Sequence, residues 1–220
     1  MSIFDILTAS FAPHECLSCG QEGHLLCKAC THKLSQIPER CYRCRRLSAG
    51  NRSCEACRRM SKLYSLKAGT IYEGLAKDLV WRLKFQGAQT AAHDMARYLA
   101  PMVESRGVVI VHVPTATGRV RRRGYDQAYL LARALAKQTQ LPHLAALARL
   151  GQHHQVGASR RERTTQLAQA FIVLKPELVQ NSHILLVDDV LTTGATLEAA
   201  ARALKLAGAK RVDGLVFAQA

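Results

Sequence analysis

The sequence has few aromatic residues, few acidic ones and no long apolar run. Its 220 residues include one Trp, and aromatic residues make up 5% of the chain. No stretch approaches the ~18 apolar residues that a membrane-spanning helix needs, so we expect no membrane insertion. Residues 1–12 have no basic region before their short apolar run, which Asp5 interrupts, and they do not resemble a secretory signal. We therefore expect a cytoplasmic protein.

Acidic residues are scarce relative to basic ones. The chain has 31 Lys and Arg against 16 Asp and Glu, a formal net charge of +15. Residues 1–62 carry +5 and residues 63–220 carry +10, so both parts of the chain are basic. This excess favours a polyanionic partner such as nucleic acid, because phosphate contacts dominate that affinity. An enzyme that attracts a phosphorylated small molecule would explain the charge equally well.

Cysteine is absent after residue 57, and all eight cysteines lie before that point. They form four C-x-x-C pairs, separated by 7, 10 and 9 residues. A C-x-x-C turn points two thiolates at one metal ion, and two such turns complete a tetrahedral zinc site. Sequential pairing predicts two zinc sites, one formed by Cys16, Cys19, Cys27 and Cys30 and the other by Cys41, Cys44, Cys54 and Cys57. Interleaved pairing is the alternative that the spacing leaves open.

Two other uses of paired cysteines fit this pattern less well. A redox C-x-x-C normally occurs once, beside a βαβ pattern. A disulfide framework needs an oxidising compartment, which the absence of a secretory signal argues against. His14, His24 and His32 lie near the pairs but are not needed as ligands beside eight thiolates. Because four thiolates leave no open coordination position, we expect the zinc to be structural and not catalytic.

The remainder of the chain has an α/β pattern. A basic joint at residues 58–62 suggests a division into a zinc-ribbon-like module, 1–60, and a larger domain, 61–220. Apolar runs predict strands at 63–72 (or a hairpin there), 108–113, 184–187 and 211–218, and helical periodicity predicts helices at 73–85, 91–102, 127–138 and 196–207. Trp81 is expected in the core. Alternating strands and helices predict a mostly parallel sheet with ligands beyond the carboxyl ends of its strands.

The segment 184–196, I-L-L-V-D-D-V-L-T-T-G-A-T, predicts a phosphate site. Two carboxylates, Asp188 and Asp189, follow a buried strand, and a short turn then leads into a helix. A helix N-terminus offers free amides to a phosphate, and Gly194 allows close approach of the backbone. The loop adds the hydroxyls of Thr192, Thr193 and Thr196 and the amide of Ala195. An acidic pair beside a phosphate suits ribose hydroxyls or a magnesium ion, whereas an ordinary Asp N-cap would explain only one of the two acids.

A second segment, residues 115–127, suits the same kind of ligand. We predict that it forms a loop at a strand end, followed by Gly124 and a helix, and that this loop carries four arginines: Arg119, Arg121, Arg122 and Arg123. Guanidinium groups and the amides at a helix start suit a pyrophosphate. A solvated basic loop or a nucleic-acid contact is the alternative, and four arginines cannot all meet one pyrophosphate.

These features together resemble the ComF/GntX family, in which a zinc-ribbon-like module precedes a phosphoribosyltransferase-type domain. The segment 184–196 matches the phosphoribosyl pyrophosphate (PRPP) motif of type I phosphoribosyltransferases, and 83–87, 121–127 and 155–171 are similar to family segments. Asp126 and Gln166 stand where the family tends to have Asn. The resemblance implies a type I phosphoribosyltransferase-like parallel sheet with helices on both faces.

The resemblance also implies a function and a set of partners. Asp188 and Asp189 would hold ribose and Mg²⁺ and act in any transfer, residues 192–196 would bind the 5-phosphate, and Arg123–Gly124 would meet the pyrophosphate. The family role is natural competence or the use of external DNA, with single-stranded DNA and helicase-like proteins as partners.

Whether the chain is a phosphoribosyltransferase or only binds PRPP is left open by the sequence. The alternative is a non-catalytic module that binds single-stranded nucleic acid, with the PRPP pocket regulatory or vestigial. Arg43, Arg45 and Arg46 would then contact phosphates, and the Tyr42 ring would stack on a base.

Overall fold

The amino-terminal region is built from two pairs of cysteine turns. The structure, a computed structural model, describes residues 14–104, 107–150 and 170–220. Short antiparallel bridges, Glu15 with Glu22 and Arg40 with Leu47, close the first turn of each pair. The second turns lie at 3₁₀ helix Lys28–Lys33 and at helix α1, Glu55–Arg58.

A four-stranded parallel sheet forms the centre of the remaining chain, with the strand order β1-β6-β5-β2. Its strands are β1 (Ser65–Ile71), β2 (Val109–His112), β5 (His183–Leu191) and β6 (Arg211–Gln219). Two short strands, β3 (Leu147–Arg149) and β4 (Phe171–Val173), form a separate antiparallel pair. The sequence pattern had predicted four strands within a few residues of the central ones.

Helices connect the strands of the sheet. They are α2 (Gly74–Phe85), α3 (Thr90–Leu99), α4 (Thr117–Arg123), α5 (Gln127–Thr139), α6 (Pro176–Val179) and α7 (Ala195–Leu206). The helix predicted at 91–102 ends at Leu99 and continues as a 3₁₀ turn, Ala100–Met102, because Pro101 cannot donate the next backbone hydrogen bond. Among the described residues, no helix combines the length and the apolar character needed to cross a membrane.

Apolar residues pack on both faces of the sheet, which confirms the predicted α/β class. One cluster joins α2, α3 and α5 to the sheet, and the other is centred on α7. The cysteine region contributes to both apolar clusters: Leu25 and Leu26 belong to the one with α2, α3 and α5, and Tyr42 belongs to the one centred on α7. The division at residue 60 therefore stays a prediction about chain organisation, since the two parts share apolar contacts.

Three local predictions were wrong. Strand β5 continues to Leu191, pairing with Gln219 of β6, so Asp188 and Asp189 lie within the strand and not after it. Trp81 is 47% exposed, because α2 directs Leu79 and Leu83 towards the core, whereas Trp81 and Phe85, four residues apart, point outward. The arginine segment predicted as a loop forms most of helix α4.

Candidate functional site

A polar cavity of about 320 Å³ opens at the carboxyl ends of β2 and β5. Parallel α/β sheets commonly bind ligands there. The cavity is lined by Tyr72, Lys84, Val113, Pro114, Thr115, Ala116, Arg119, Gln127, Arg149, Asp188, Asp189, Val190, Thr192, Thr196 and Ala220. The structure thus brings the predicted acidic pair, two of the predicted threonines and one of the four arginines to one place.

The two aspartates differ in their surroundings. Asp189 is 4% exposed, and its Oδ2 lies 2.9 Å from Nζ of Lys84. Asp188 Oδ1 accepts a hydrogen bond from the Asp189 amide at 2.8 Å. Burial, followed by the negative charge of Asp189, raises the pKa of Asp188 well above its ordinary value. A cation placed in this cavity would counter both effects.

Gly194 lies at the turn from β5 into α7. Its φ of +77° belongs to the left-handed region, and a methyl group placed on it would come within 3.1 Å of the Tyr42 ring. Both facts favour glycine there. Thr192 and Thr196 line the cavity, whereas the Thr193 hydroxyl accepts from the amide of Ala195 at 3.3 Å. The amino end of α7 therefore faces the cavity with hydroxyl groups beside it.

Cationic side chains lie across the cavity from α7. Arg119 and Arg149 both line it, and within the described residues neither forms an ion pair with an acid. Burial, and then repulsion from Arg119, lowers the pKa of Arg149. Arg123 instead donates to Gln127 Oε1 at 2.8 Å and lies over the Phe85 ring, with its Cζ atom 5.3 Å from the ring centroid. Among the described residues, the lining does not include Arg123 or Gly124.

Asp126, where the family tends to have Asn, has a structural role. Its carboxylate caps α5 by accepting from the amides of Ala128 and Tyr129. It also accepts from the amide of Thr115 at 2.8 Å and from the Thr115 hydroxyl at 3.0 Å. Asp126 therefore positions a residue of the cavity wall, which a carboxylate can do as well as an amide oxygen.

The eight cysteines form two groups, and the grouping follows the sequential pairing. In each group the four sulfur atoms lie within 4.8 Å of one another: Cys16, Cys19, Cys27 and Cys30 make the first cluster, and Cys41, Cys44, Cys54 and Cys57 make the second cluster. Each group could hold a metal ion. None of the three neighbouring histidines belongs to either group.

The sulfur spacing fits a tetrahedral ion. The Sγ atoms of Cys19 and Cys27 are 3.7 Å apart, and those of Cys44 and Cys54 are 3.5 Å apart. Zn–S bonds of ~2.3 Å at tetrahedral angles would separate the sulfurs by about 3.8 Å. Burial disfavours the thiolates, but backbone amides that point at the sulfurs outweigh it and lower the pKa of Cys16 and of Cys41 to about 6.

Comparison with known proteins identifies the relatives of this chain. The family model described as "Phosphoribosyl transferase domain" matches residues 120–219. The chain is 33% identical to "DNA utilization protein YhgH" of Salmonella typhi over 207 residues, which cover 86% of this chain and 87% of that protein. It is also 29% identical to "Competence protein ComFC" of Bacillus subtilis over 191 residues, which cover 81% of this chain and 77% of that protein. The chain belongs to the ComF family.

A solved structure also resembles part of this chain. Among solved structures, glutamine phosphoribosylpyrophosphate amidotransferase from B. subtilis has a TM-score of 0.45 and 19% identity, and covers 58% of this chain and 26% of that chain.

In this ComF family chain, sequence reasoning missed several side chains of the cavity. Lys84 and Arg149 are the chief ones, and each lies far from the acidic loop in sequence. The prediction that Tyr42 offers a stacking ring was wrong, because Tyr42 is 6% exposed and packs on the cavity loop. The family resemblance of residues 83–87 was the one available indication of Lys84. The similar segment at 155–171 lies almost wholly outside the described residues.

Proposed function

We propose that this chain binds PRPP in the cavity at the ends of β2 and β5. The observation that carries the proposal is the convergence there of an acidic pair, a helix N-terminus with threonine hydroxyls, and two arginines that have no acidic partner among the described residues. The backbone amides of residues 193–196 and the adjacent hydroxyls would bind the 5-phosphate. Asp188 and Asp189 would hold the ribose hydroxyls, with Lys84 forming an ion pair with Asp189.

The pyrophosphate end of PRPP would face α4. Arg119 and Arg149 suit its oxygens by charge and by their planar donors. The Arg123–Gly124 end of α4 is also proposed to contribute, with Arg123 oriented by Gln127. Mg²⁺ would bind beside Asp188, since carboxylate oxygens are its preferred ligands, and would supply charge to the departing pyrophosphate. Departure of pyrophosphate would leave a cationic ribose carbon beside the carboxylates.

Calorimetric titration with PRPP and Mg²⁺ tests the proposal. We expect the double variant Asp188→Asn, Asp189→Asn to lose PRPP binding, since it removes both anionic oxygens that face the ribose. Asp78→Asn, an exposed acid on α2 outside the cavity, is the matched control and should bind as the unchanged protein does. Undiminished affinity in the double variant would rule out the assignment. A turnover assay with PRPP and candidate acceptors would show whether binding leads to transfer.

A second candidate function is binding of single-stranded DNA, favoured by one feature of α2. Trp81 and Phe85 (61% exposed) form an exposed pair with ring centroids 6.2 Å apart, and Arg123 covers the Phe85 ring. Aromatic rings beside cations stack on bases and contact phosphates. With a net charge of +15, the chain would attract such a polyanion. A role in competence or the use of external DNA, with a helicase-like partner, would follow from this activity.

Trp81 itself reports on this second function, because it is the one Trp in the chain. Stacking of a base on it should quench its fluorescence, and quenching should weaken as salt rises. Phe85→Leu should reduce the affinity, whereas Leu206→Ala, an exposed apolar residue on α7, should not. Unchanged Trp81 fluorescence with a thymidine oligonucleotide at low salt would refute stacking on this surface.

We propose that each cysteine cluster holds one Zn²⁺. The four sulfurs of each cluster and their spacing support this choice. Cysteines that bind zinc must stay reduced, as they do in a reducing compartment. We therefore propose a cytoplasmic location.

A further inference from the structure

The second cysteine cluster adjoins the loop that leads into α7. Tyr42 lies between two of its ligands, Cys41 and Cys44, and its ring covers Gly194. A methyl group on Gly194 would lie 3.1 Å from one ring carbon and 3.2 Å from the next. The metal-ligand turn and the phosphate loop are therefore in van der Waals contact.

Glu198 anchors the same contact one turn further along α7. Its carboxylate accepts hydrogen bonds from the Tyr42 hydroxyl, from Arg43 Nη1 at 3.2 Å and from the Lys62 amide at 2.9 Å. The Tyr42 hydroxyl also lies 2.9 Å from the Ser61 hydroxyl. Two consecutive residues of the cysteine turn and one residue that follows the cluster thus meet on a single side chain of α7.

Cys41 and Cys44, two of the proposed metal ligands, lie at the ends of a short turn. The amide of Arg45 donates to the carbonyl of Cys41 at 2.8 Å, and Arg45 has a φ of +65°, a conformation that non-glycine residues rarely adopt. The amide of Cys41 also donates to the carbonyl of Arg46 at 2.8 Å. A metal ion bound by Cys41 and Cys44 would fix both of its ends and hence the position of the Tyr42 ring.

The first cluster offers an internal comparison. Its turn is held on the opposite side of the molecule's sheet, where Asp94 of α3 accepts from the amides of Leu25 at 2.7 Å and Leu26 at 3.0 Å. Its apolar residues belong to the core cluster that contains α3, not to the one that contains α7. The two clusters are thus alike in ligands but differ in what they contact.

We propose that metal occupancy of the second cluster positions the phosphate loop, with Tyr42 as the positioning residue. A loop held in its bound form needs less ordering when a phosphate arrives, so the cluster sets the loop's affinity. The consequence for PRPP rests on the proposed function, whereas the effect on the loop itself does not. Loss of the second metal ion would loosen the turn at Gly194 and weaken phosphate binding, while loss of the first would not.

Hydrogen exchange on the full chain tests the effect on the loop. The matched variants are Cys44→Ser and Cys19→Ser, which change one exposed ligand in the second and first cluster respectively. We expect peptides covering residues 189–199 to exchange faster in Cys44→Ser and at the original rate in Cys19→Ser. Equal exchange of the loop in both variants would overturn the proposal.

A pair of substitutions at Tyr42 tests the positioning role with both metal ions retained. Tyr42→Ala removes the ring from Gly194, and we expect a PRPP affinity lower by about tenfold, since small misplacements of binding groups cost this much or more. Tyr42→Phe keeps the ring and should stay much closer to the original affinity. Metal content, measured by elemental analysis, should stay unchanged in both. If Tyr42→Ala kept both the loop exchange rate and the PRPP affinity of the unchanged protein, the proposal would be contradicted.

The two proposals can fail separately. If the unchanged protein binds no PRPP but exchange of residues 189–199 follows the second cluster and Tyr42, the proposed function fails and the positioning role stands. If PRPP binds and Tyr42→Ala leaves both the exchange rate and the affinity unaltered, the positioning role fails and the proposed function stands.

Discussion

The cysteine region and the parallel sheet reach a fixed structure by different means. Residues 14–62 contain short turns and many exposed side chains, and their regular structure amounts to brief helical turns and isolated bridges. Strand β6, in contrast, is buried over almost its whole length. A small segment without a large core usually needs a metal ion to fold, whereas a central strand is stabilised by the apolar area around it. The two regions nevertheless meet through Leu25, Leu26 and Tyr42.

Removal of the proposed zinc ions should produce the largest difference in stability between the two regions. Metal binding contributes directly to the folding free energy of such a segment, so a strong chelator should abolish hydrogen-exchange protection in residues 16–57. The sheet should keep its slowest-exchanging amides, with a lower melting temperature because its partners in the cysteine region are lost. Elemental analysis of the purified protein should give two zinc ions per chain. A ratio near one would contradict the two-site proposal.

A single leucine should show how much the sheet depends on the cysteine region. Leu26 is fully buried in the cluster with α3, so Leu26→Ala should lower the free energy of unfolding by about 2–5 kcal/mol. Leu47, in the same region but 80% exposed, is the matched control, and Leu47→Ala should change stability by less than ~0.5 kcal/mol. Denaturant unfolding gives both values. Similar effects of the two substitutions would mean that the packing of Leu26 adds nothing to the sheet.

A buried carboxylate joins the same two regions by hydrogen bonds. Asp94 is buried and accepts from two backbone amides, and it also lies 3.0 Å from Nη2 of Arg97. Asp94→Asn keeps the shape but replaces one acceptor oxygen by a donor, which should cost about 1–3 kcal/mol. The exposed Asp78→Asn provides the control. An unchanged midpoint of thermal unfolding for Asp94→Asn would show that this junction is not stabilising.

Substitution of Asp188 should give the smallest change in stability, and unlike the other substitutions it should stabilise the protein. Its pKa in the folded protein is raised, so the folded state binds more protons than the unfolded state between the ordinary value near 3.8 and the raised one. Stability therefore falls as pH rises through that window. Asp188→Asn should raise the melting temperature of the ligand-free protein at neutral pH and flatten its decline with pH. If the melting temperature of the variant fell with pH as steeply as that of the unchanged protein, the titrating group would be a residue other than Asp188.

Local patterns predicted most of the elements of this protein. Apolar runs and helical periodicity depend on neighbours in the chain, so the four central strands and the main helices were found within a few residues. The end of β5 was missed because its final residues are ordered by pairing with β6 and not by their own composition. The predicted burial of Trp81 was wrong because helical periodicity indicates an apolar stripe but does not show which of its side chains face the sheet.

The sequence by itself determined two chemical features. The four C-x-x-C pairs define turns that could supply metal ligands, and the run from Asp188 to Thr196 defines an acidic pair before a helix start. Both features depend only on close neighbours in the chain. Tertiary structure alone decided which side chains join them. Lys84 reaches Asp189 and Tyr42 reaches Gly194 across more than a hundred residues, because the crossover connections of a parallel sheet bring distant segments to one edge.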